Sequence, residues 1–374
     1  MLKQIRTVAA AALLTVTTYA VAVEMNGSHP DTYVVRKGDT LWDISARFLQ
    51  KPWLWPEIWQ ANPQVKNPHL IYPGDVLSLA YLDRVTAQAG PREEAPINAI
   101  PLSDVEPFLK NLNVVDSFKE LPYVVGLEDS RLRVSAGELA YVMGLSGAQP
   151  GQRYMVVRPT VSYSQPKPST DLEVRGDSIR GTGNLWNEFI ASNDRNEFLG
   201  YELAQVNIGT LTQVAGNDAQ ASTLRLEDSG REVRAGDRLV PVQAQPYDLH
   251  FIPHAPASAP AAGHVRVLAV ADALTAGGPR DVIAISGGAS DGIDNGTVFS
   301  IWRSGTHIND RVANRDTSRI DDALKGSGSR VALPAEYAAH AMVFRTFDKV
   351  SYALIMEGSK PARVGYELRH PDAQ

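Results

Sequence analysis

Tyr33-Val34-Val35-Arg36-Lys37-Gly38-Asp39-Thr40-Leu41-Trp42-Asp43-Ile44-Ser45 decides how this chain is read. Tyr33 to Val35 is a short β-prone run, and Gly38-Asp39 turns the chain. Thr40 with Asp43 three positions later is a capping-box-like helix start, in which the two residues satisfy each other's backbone N–H groups. Leu41, Ile44 and Phe48 follow at i, i+3 and i+7, the apolar stripe of a helix packed on one side. Pro56 marks the first turn of a second helix that holds Ile58, Trp59 and Ala61 and ends at Asn62-Pro63. Asn67-Pro68 and Tyr72-Pro73-Gly74-Asp75 read as turns, and Val76-Leu77-Ser78-Leu79 reads as a closing strand. The expectation is a strand, helix, helix, strand module.

The chain around this module is bounded by its composition. At about 150 residues per domain, 374 residues imply two to four units. Zero cysteine excludes disulfides, thiolate zinc sites, cysteine nucleophiles and the acylated Cys of a bacterial lipoprotein. A net charge of -6 offers no basic surface for nucleic acid. Beyond residue 22 no apolar run reaches the roughly 18 to 20 residues of a membrane helix. Residues 1–22 read as an export signal: Lys3 and Arg6 start it, Val8 to Val21 is mostly apolar, and Ala20-Val21-Ala22 is a cleavage site. An uncleaved anchor is the competing reading, disfavoured by the short stretch and by Thr15, Thr17 and Thr18. Loss of Lys3 and Arg6 from 36 basic residues leaves 34 against 42 acidic, a mature charge of -8. An exported, acidic chain without cysteine fits a bacterial periplasm.

Composition divides the mature chain further. Residues 30–80 hold Trp42, Trp53, Trp55 and Trp59, four of the six tryptophans. Residues 82–112 are a connector, linker-like at Gly90 to Pro96, with Pro101, Pro107, Phe108 and Leu109 available to dock on a neighbour. From 113 onward, short apolar runs punctuated by glycine favour strands. The Ala/Pro stretch within 244–263 reads as a semi-extended hinge between one β-rich unit at 113–243 and another at 264–374.

The two units look like copies. Gly151-Gln-Arg-Tyr-Met-Val-Val-Arg158 and Gly296-Thr-Val-Phe-Ser-Ile-Trp-Arg303 share one pattern, 145 positions apart. Arg234-Ala-Gly-Asp-Arg-Leu239 and Arg363-Val-Gly-Tyr-Glu-Leu368 share another, 129 apart. The first copy is therefore about 16 residues longer between its landmarks, and the polar stretch Ser164 to Asn187 is the natural insertion. Tyr154 and Phe299 are expected at equivalent core positions of small antiparallel units.

The first quoted run, followed by Trp59-Gln60-Ala61-Asn62-Pro63 and Leu70-Ile71-Tyr72-Pro73-Gly74-Asp75-Val76-Leu77, resembles a LysM domain along its entire length. The resemblance implies binding of N-acetylglucosamine-containing glycans, chiefly peptidoglycan and chitin, in a shallow groove. Carried onto this sequence, Gly38, Asp39, Thr40 and Leu41 form one wall and Asn67, Leu70 and Ile71 the other. Turn backbone would bond the acetamide, with Leu41, Leu70 and Ile71 against its methyl and the sugar face. Gly38 also reads as turn geometry alone, and Thr40 as a cap alone. The segment Lys51-Pro-Trp-Leu-Trp-Pro-Glu57 is longer and more aromatic than the family's usual joint, and its tryptophans either pack on the second helix or stack on sugar.

No catalytic site and no metal or cofactor site is expected. The histidines are scattered, and the close pair His250 and His254 flanks Pro253, which spoils helical ligand spacing. No G-x-S-x-G elbow or partnered S-x-x-K motif occurs. A carboxylate pair of a glycosidase can come from anywhere in a chain, so a hydrolase or hydrolase activator stays open. The expected fold class is α+β, a small βααβ module followed by a mostly-β region of two repeated units. The leader, the LysM module with its Trp-Leu-Trp-Pro insertion, the segment Ala99 to Leu109 and the β-rich remainder together resemble the TsaP family. That resemblance implies a periplasmic protein tying the type IV pilus secretin to peptidoglycan, with a carboxy-terminal part similar to the flagellar protein FlgT. A general envelope scaffold shares every one of these features.

Overall fold

Thr40 sets the first helix as its sequence requires. Its hydroxyl accepts from the Asp43 N–H and the Asp43 carboxylate accepts from the Thr40 N–H, both at 3.1 Å. The computed structural model containing this cap describes residues 30–79 apart from 67, 69 and 70, then 102–165, 178–179 and 186–190. It continues through 197–242 apart from 217–218 and 228–229, 252–305 apart from 272–275, 307–309 and 330–373. The expected leader at 1–22 and the linker-like stretch 90–96 lie outside the described residues.

The first module runs β1 (Thr32–Val34), α1 (Leu41–Phe48), a 3-10 turn (Pro52–Leu54), α2 (Trp55–Gln60) and β2 (Val76–Ser78). β1 and β2 pair antiparallel, Tyr33 opposite Leu77. Asn62, buried after α2, donates to the carbonyls of Ile58 and Ser78 and accepts from the Ser78 N–H at 2.7 Å. One amide thereby ends the helix and fastens it to the strand.

Residues 102–111 carry the first difference from the sequence reading. Within the connector they form a helix, α3 (Leu102–Asn111), which the sequence reading did not assign although it left Phe108 and Leu109 available to dock. Val105, Phe108, Leu109 and Leu112 recur at helical spacing, and all are buried. Phe108 meets Phe344 and Tyr352 edge-on, at centroid distances of 6.4 and 6.0 Å.

The remainder is mostly strand. It begins β3 (Leu112–Val115), β4 (Tyr123–Leu127), β5 (Leu139–Met143), β6 (Arg153–Ser164), β7 (Ser178–Ile179), β8 (Trp186–Ile190), β9 (Phe198–Gln213), β10 (Ser222–Leu226) and β11 (Arg238–Pro241). It continues β12 (Val267–Ala271), β13 (Val282–Ile285), β14 (Val298–Arg303), β15 (His307–Asn309), β16 (Arg330–Ala332), β17 (Glu336–Thr346), β18 (Ser351–Gly358) and β19 (Glu367–Arg369). In the first half the order β10-β5-β4-β11-β6-β9 closes on itself because β9 also pairs with β10. In the second, the order β19-β14-β17-β18-β13-β12 closes through a bridge between Arg266 and Glu367. Each half is a six-stranded antiparallel barrel, and closure leaves few strand edges open.

The two barrels share connectivity and register. Leu239 opposes Val156 as Leu368 opposes Ile301, so the last strands are displaced by 129 and the third strands by 145. Val124 opposes Val142 as Val267 opposes Ile285, a displacement of 143 for both members. A bulge follows Val124 in one strand and Val267 in the other. Tyr154 opposes Gly209 and Phe299 opposes Ala341, and both rings are buried.

Two features depart from a division at the Ala/Pro stretch. The β7–β8 hairpin, inside the stretch assigned to the first unit, joins the second barrel: β8 pairs with β12, Phe189 opposite Ala269 and Glu188 opposite Val270. β12 runs past the three residues of β19, and an open strand edge is satisfied by any strand that reaches it. The stretch read as a hinge is fastened at both ends. His254 bridges Thr297, and the Gly263 N–H donates to the Glu367 carboxylate at 2.8 Å.

A buried polar node joins the halves. The Glu202 carboxylate on β9 accepts from Thr160 at 2.6 Å and Tyr163 at 2.7 Å in its own barrel, and from Tyr352 of β18 at 3.2 Å. Burial, reinforced by the charge of Glu202, holds both tyrosine hydroxyls well above the ordinary phenol pKa. Arg345 donates to the carbonyls of Phe108 and Leu109, which ties α3 to the second barrel.

Candidate glycan-binding site

The loop from Arg36 to Thr40 is held by one carboxylate. Asp39 is buried and accepts from the Tyr33 hydroxyl at 2.7 Å, the Arg36 N–H at 2.8 Å and the Arg47 guanidinium at 2.9 Å. Burial first, then the hydrogen bond to Asp39, raises the Tyr33 pKa. Asp39 therefore holds the shape of this loop from behind. Gly38 is exposed, with φ of 87° and no neighbouring atom within 4 Å of where a Cβ would stand. Backbone conformation alone requires glycine here. Thr40 is half-buried, its hydroxyl engaged with Asp43.

Leu41 and Ile71 are only 1% exposed. The structure corrects the expectation that they present apolar side chains to a sugar. Leu41 opens the buried stripe of α1 and is taken into the module core. Asn67 and Leu70, expected in the second wall, lie outside the described residues.

The turn at Gly74-Asp75 is secured to the end of β1. The Gly74 N–H donates to the Val35 carbonyl and the Val35 N–H donates to the Asp75 carbonyl, both at 2.8 Å. The tryptophans are spent on packing. Trp55 is buried, and the Trp59 indole N–H donates to the Val65 carbonyl at 2.6 Å, holding the segment that follows α2. Trp53 turns to the second barrel, 4.7 Å from His340 between ring centroids, and Lys51 pairs with Asp372 at 2.9 Å.

Sequence reasoning did not single out Arg47, Asn62 or Trp59 as supports. Arg47 falls in the last turn of α1, where a basic residue reads simply as a partner of the helix dipole. The buried amide of Asn62 was hidden because Asn-Pro reads as a turn. His250 lies outside the described residues, and His254 pairs with Asp294 at 3.3 Å. Among the described residues no helix is long and apolar enough to cross a membrane.

Residues 33–80 match the LysM domain family. LysM is a binding module, and the match assigns peptidoglycan or a related carbohydrate as its ligand class. A protein named uncharacterized protein YqbP, from Bacillus subtilis (strain 168), is 37% identical over 62 residues, which cover 14% of this chain. The chain spans 28% of the length of that relative.

Proposed function

We propose that this protein is a non-catalytic, periplasmic wall-binding protein that fastens an outer-membrane secretin ring of the type IV pilus to peptidoglycan. The observation that carries the reading is the LysM match at 33–80 joined to a duplicated barrel region. The groove is formed by Gly38, Asp39, Thr40 and Leu41 on one side and Asn67, Leu70 and Ile71 on the other, with Leu41 and Ile71 contributing through their backbone and Asp39 as the support of the turn. A leader cleaved after Ala22 delivers the chain. The barrels, related to TsaP and FlgT by resemblance, supply the protein-binding surface.

Several copies on a ring would turn weak wall contacts into stable attachment through effective concentration. Crosslinking in piliated cells followed by isolation of the protein tests the partner. Recovery of a secretin supports the ring reading, whereas envelope proteins without a secretin leave a general scaffold in its place. A zymogram on cell wall that cleared under the purified protein would overturn the non-catalytic part.

A further inference from the structure

The relation between the barrels contains an operation that the chain performs once and is equipped to perform again. Between its third and fourth strands the first barrel extends a two-stranded hairpin, β7–β8, whose second strand pairs with β12 of the second barrel. The second barrel extends the corresponding hairpin, β15–β16, between β14 and β17. β15 and β16 form a sheet of their own and belong to neither barrel. Val331 and Leu333, in and beside the second strand of that hairpin, are exposed.

The counterpart of β12 is β4. Both carry the bulge, after Val267 in one and Val124 in the other, and β4 pairs with β11 only where Tyr123 meets Arg238. Val124 exchanges backbone hydrogen bonds of 2.8 Å with Gly236 and Asp237, just ahead of β11, and beyond Val124 no strand among the described residues pairs with that side of β4. The bulged residues show the consequence. Leu268 is 1% exposed within the interdomain core, whereas Val125, displaced by 143 positions, is 48% exposed. Gly126 follows it, a residue that lets another backbone approach closely.

We infer that β16 of one copy of this chain adds to the β4 edge of a second copy, as β8 adds to β12 within one chain. The contact joins two different surfaces. Repetition is therefore head to tail and builds a ring where the rotation closes or a filament where it does not. This pairing depends neither on the glycan groove nor on a secretin.

The absence of native cysteine makes the test direct. Val331→Cys and Val125→Cys are made in separate full-length chains, both at exposed positions, and circular dichroism checks that each folds. The chains are mixed at up to about 1 mM, the weak end of specific association, and oxidised. The mixture is expected to give roughly tenfold more disulfide-linked dimer than either variant alone. A chain carrying both cysteines is expected to give a ladder of multimers, lost when Leu333→Asp is added. Cross-linking no greater in the mixture than in the single variants, or Val331→Cys chains linking chiefly to one another, would overturn the pairing.

Discussion

The Trp53 indole lies 4.7 Å from the His340 imidazole, centroid to centroid, with the planes 48° apart. His340 is fixed in turn by the Tyr337 hydroxyl at 2.7 Å on Nδ1 and the Pro371 carbonyl at 3.3 Å on Nε2. The aromatic insertion of the LysM module is therefore part of the second barrel's surface packing. Trp53→Ala is expected to cost about 3 kcal/mol, the low end for a buried aromatic. Thermal unfolding should move down while sacculus binding by folded protein persists. An unchanged melting curve would show the contact to be idle.

Thr40→Ala and Leu41→Asp separate cap from core. The first removes one cap hydrogen bond and should cost about 1 kcal/mol, leaving the module folded. The second places a carboxylate at a site 1% exposed, and the module should not fold at all. Amide exchange in α1 distinguishes them. Loss of glycan binding by a natively folded Leu41→Asp protein would restore the side chain to the groove and refute its place in the core.

The node at Glu202 predicts an alkaline limit. Tyr163 and Tyr352 have folded pKa values raised above the unfolded value of about 10, so the stability they contribute is present below that pH. It is lost as pH rises and the unfolded chain ionises first. Phenolate absorbance of these two tyrosines should appear together with unfolding. Tyr352→Phe should flatten the stability profile above about pH 10 and lower stability at neutral pH by about 1 to 3 kcal/mol, because Glu202 loses a donor. Ionisation of both phenols in a natively folded protein would contradict the buried node.

Glu367 sets the acid side. Burial opposes its ionisation, but hydrogen bonds from Arg369 and the Gly263 N–H, with the charges of Arg369 and Arg266, prevail and lower its pKa. Its contribution is present above the unfolded value of about 4.3 and is lost as pH falls through the lower folded value. Glu367→Gln should weaken the closure between Arg266 and β19 and flatten the acid limb of a denaturant series. An identical acid limb in the variant would assign that pH dependence elsewhere.

What the sequence disclosed and what it hid follow from the range of the interactions. The Thr40–Asp43 cap and the Pro56 first turn are local, and both stand where their spacing places them. The displacements of 145 and 129 recur in the registers because Val156 opposes Leu239 and Ile301 opposes Leu368 on neighbouring strands. Addition of β8 to β12 spans about 80 positions and has no local signature. α3 has a weak local signature, because Pro107 stands inside it and its stripe of Val105, Phe108, Leu109 and Leu112 is buried against distant residues, among them Phe344 and Tyr352. At Leu41 the sequence held two answers. Helical periodicity placed it on the buried stripe and family resemblance placed it in the groove, and packing followed the periodicity.

Glycan capture by the LysM module is the central claim, and sedimentation with purified peptidoglycan sacculi tests it most directly. Full-length protein should pellet with sacculi and be released by soluble N-acetylglucosamine oligomers, while a chain lacking residues 30–79 should stay in the supernatant. Equal pelleting of the two proteins, or pelleting indifferent to the oligomers, would contradict it.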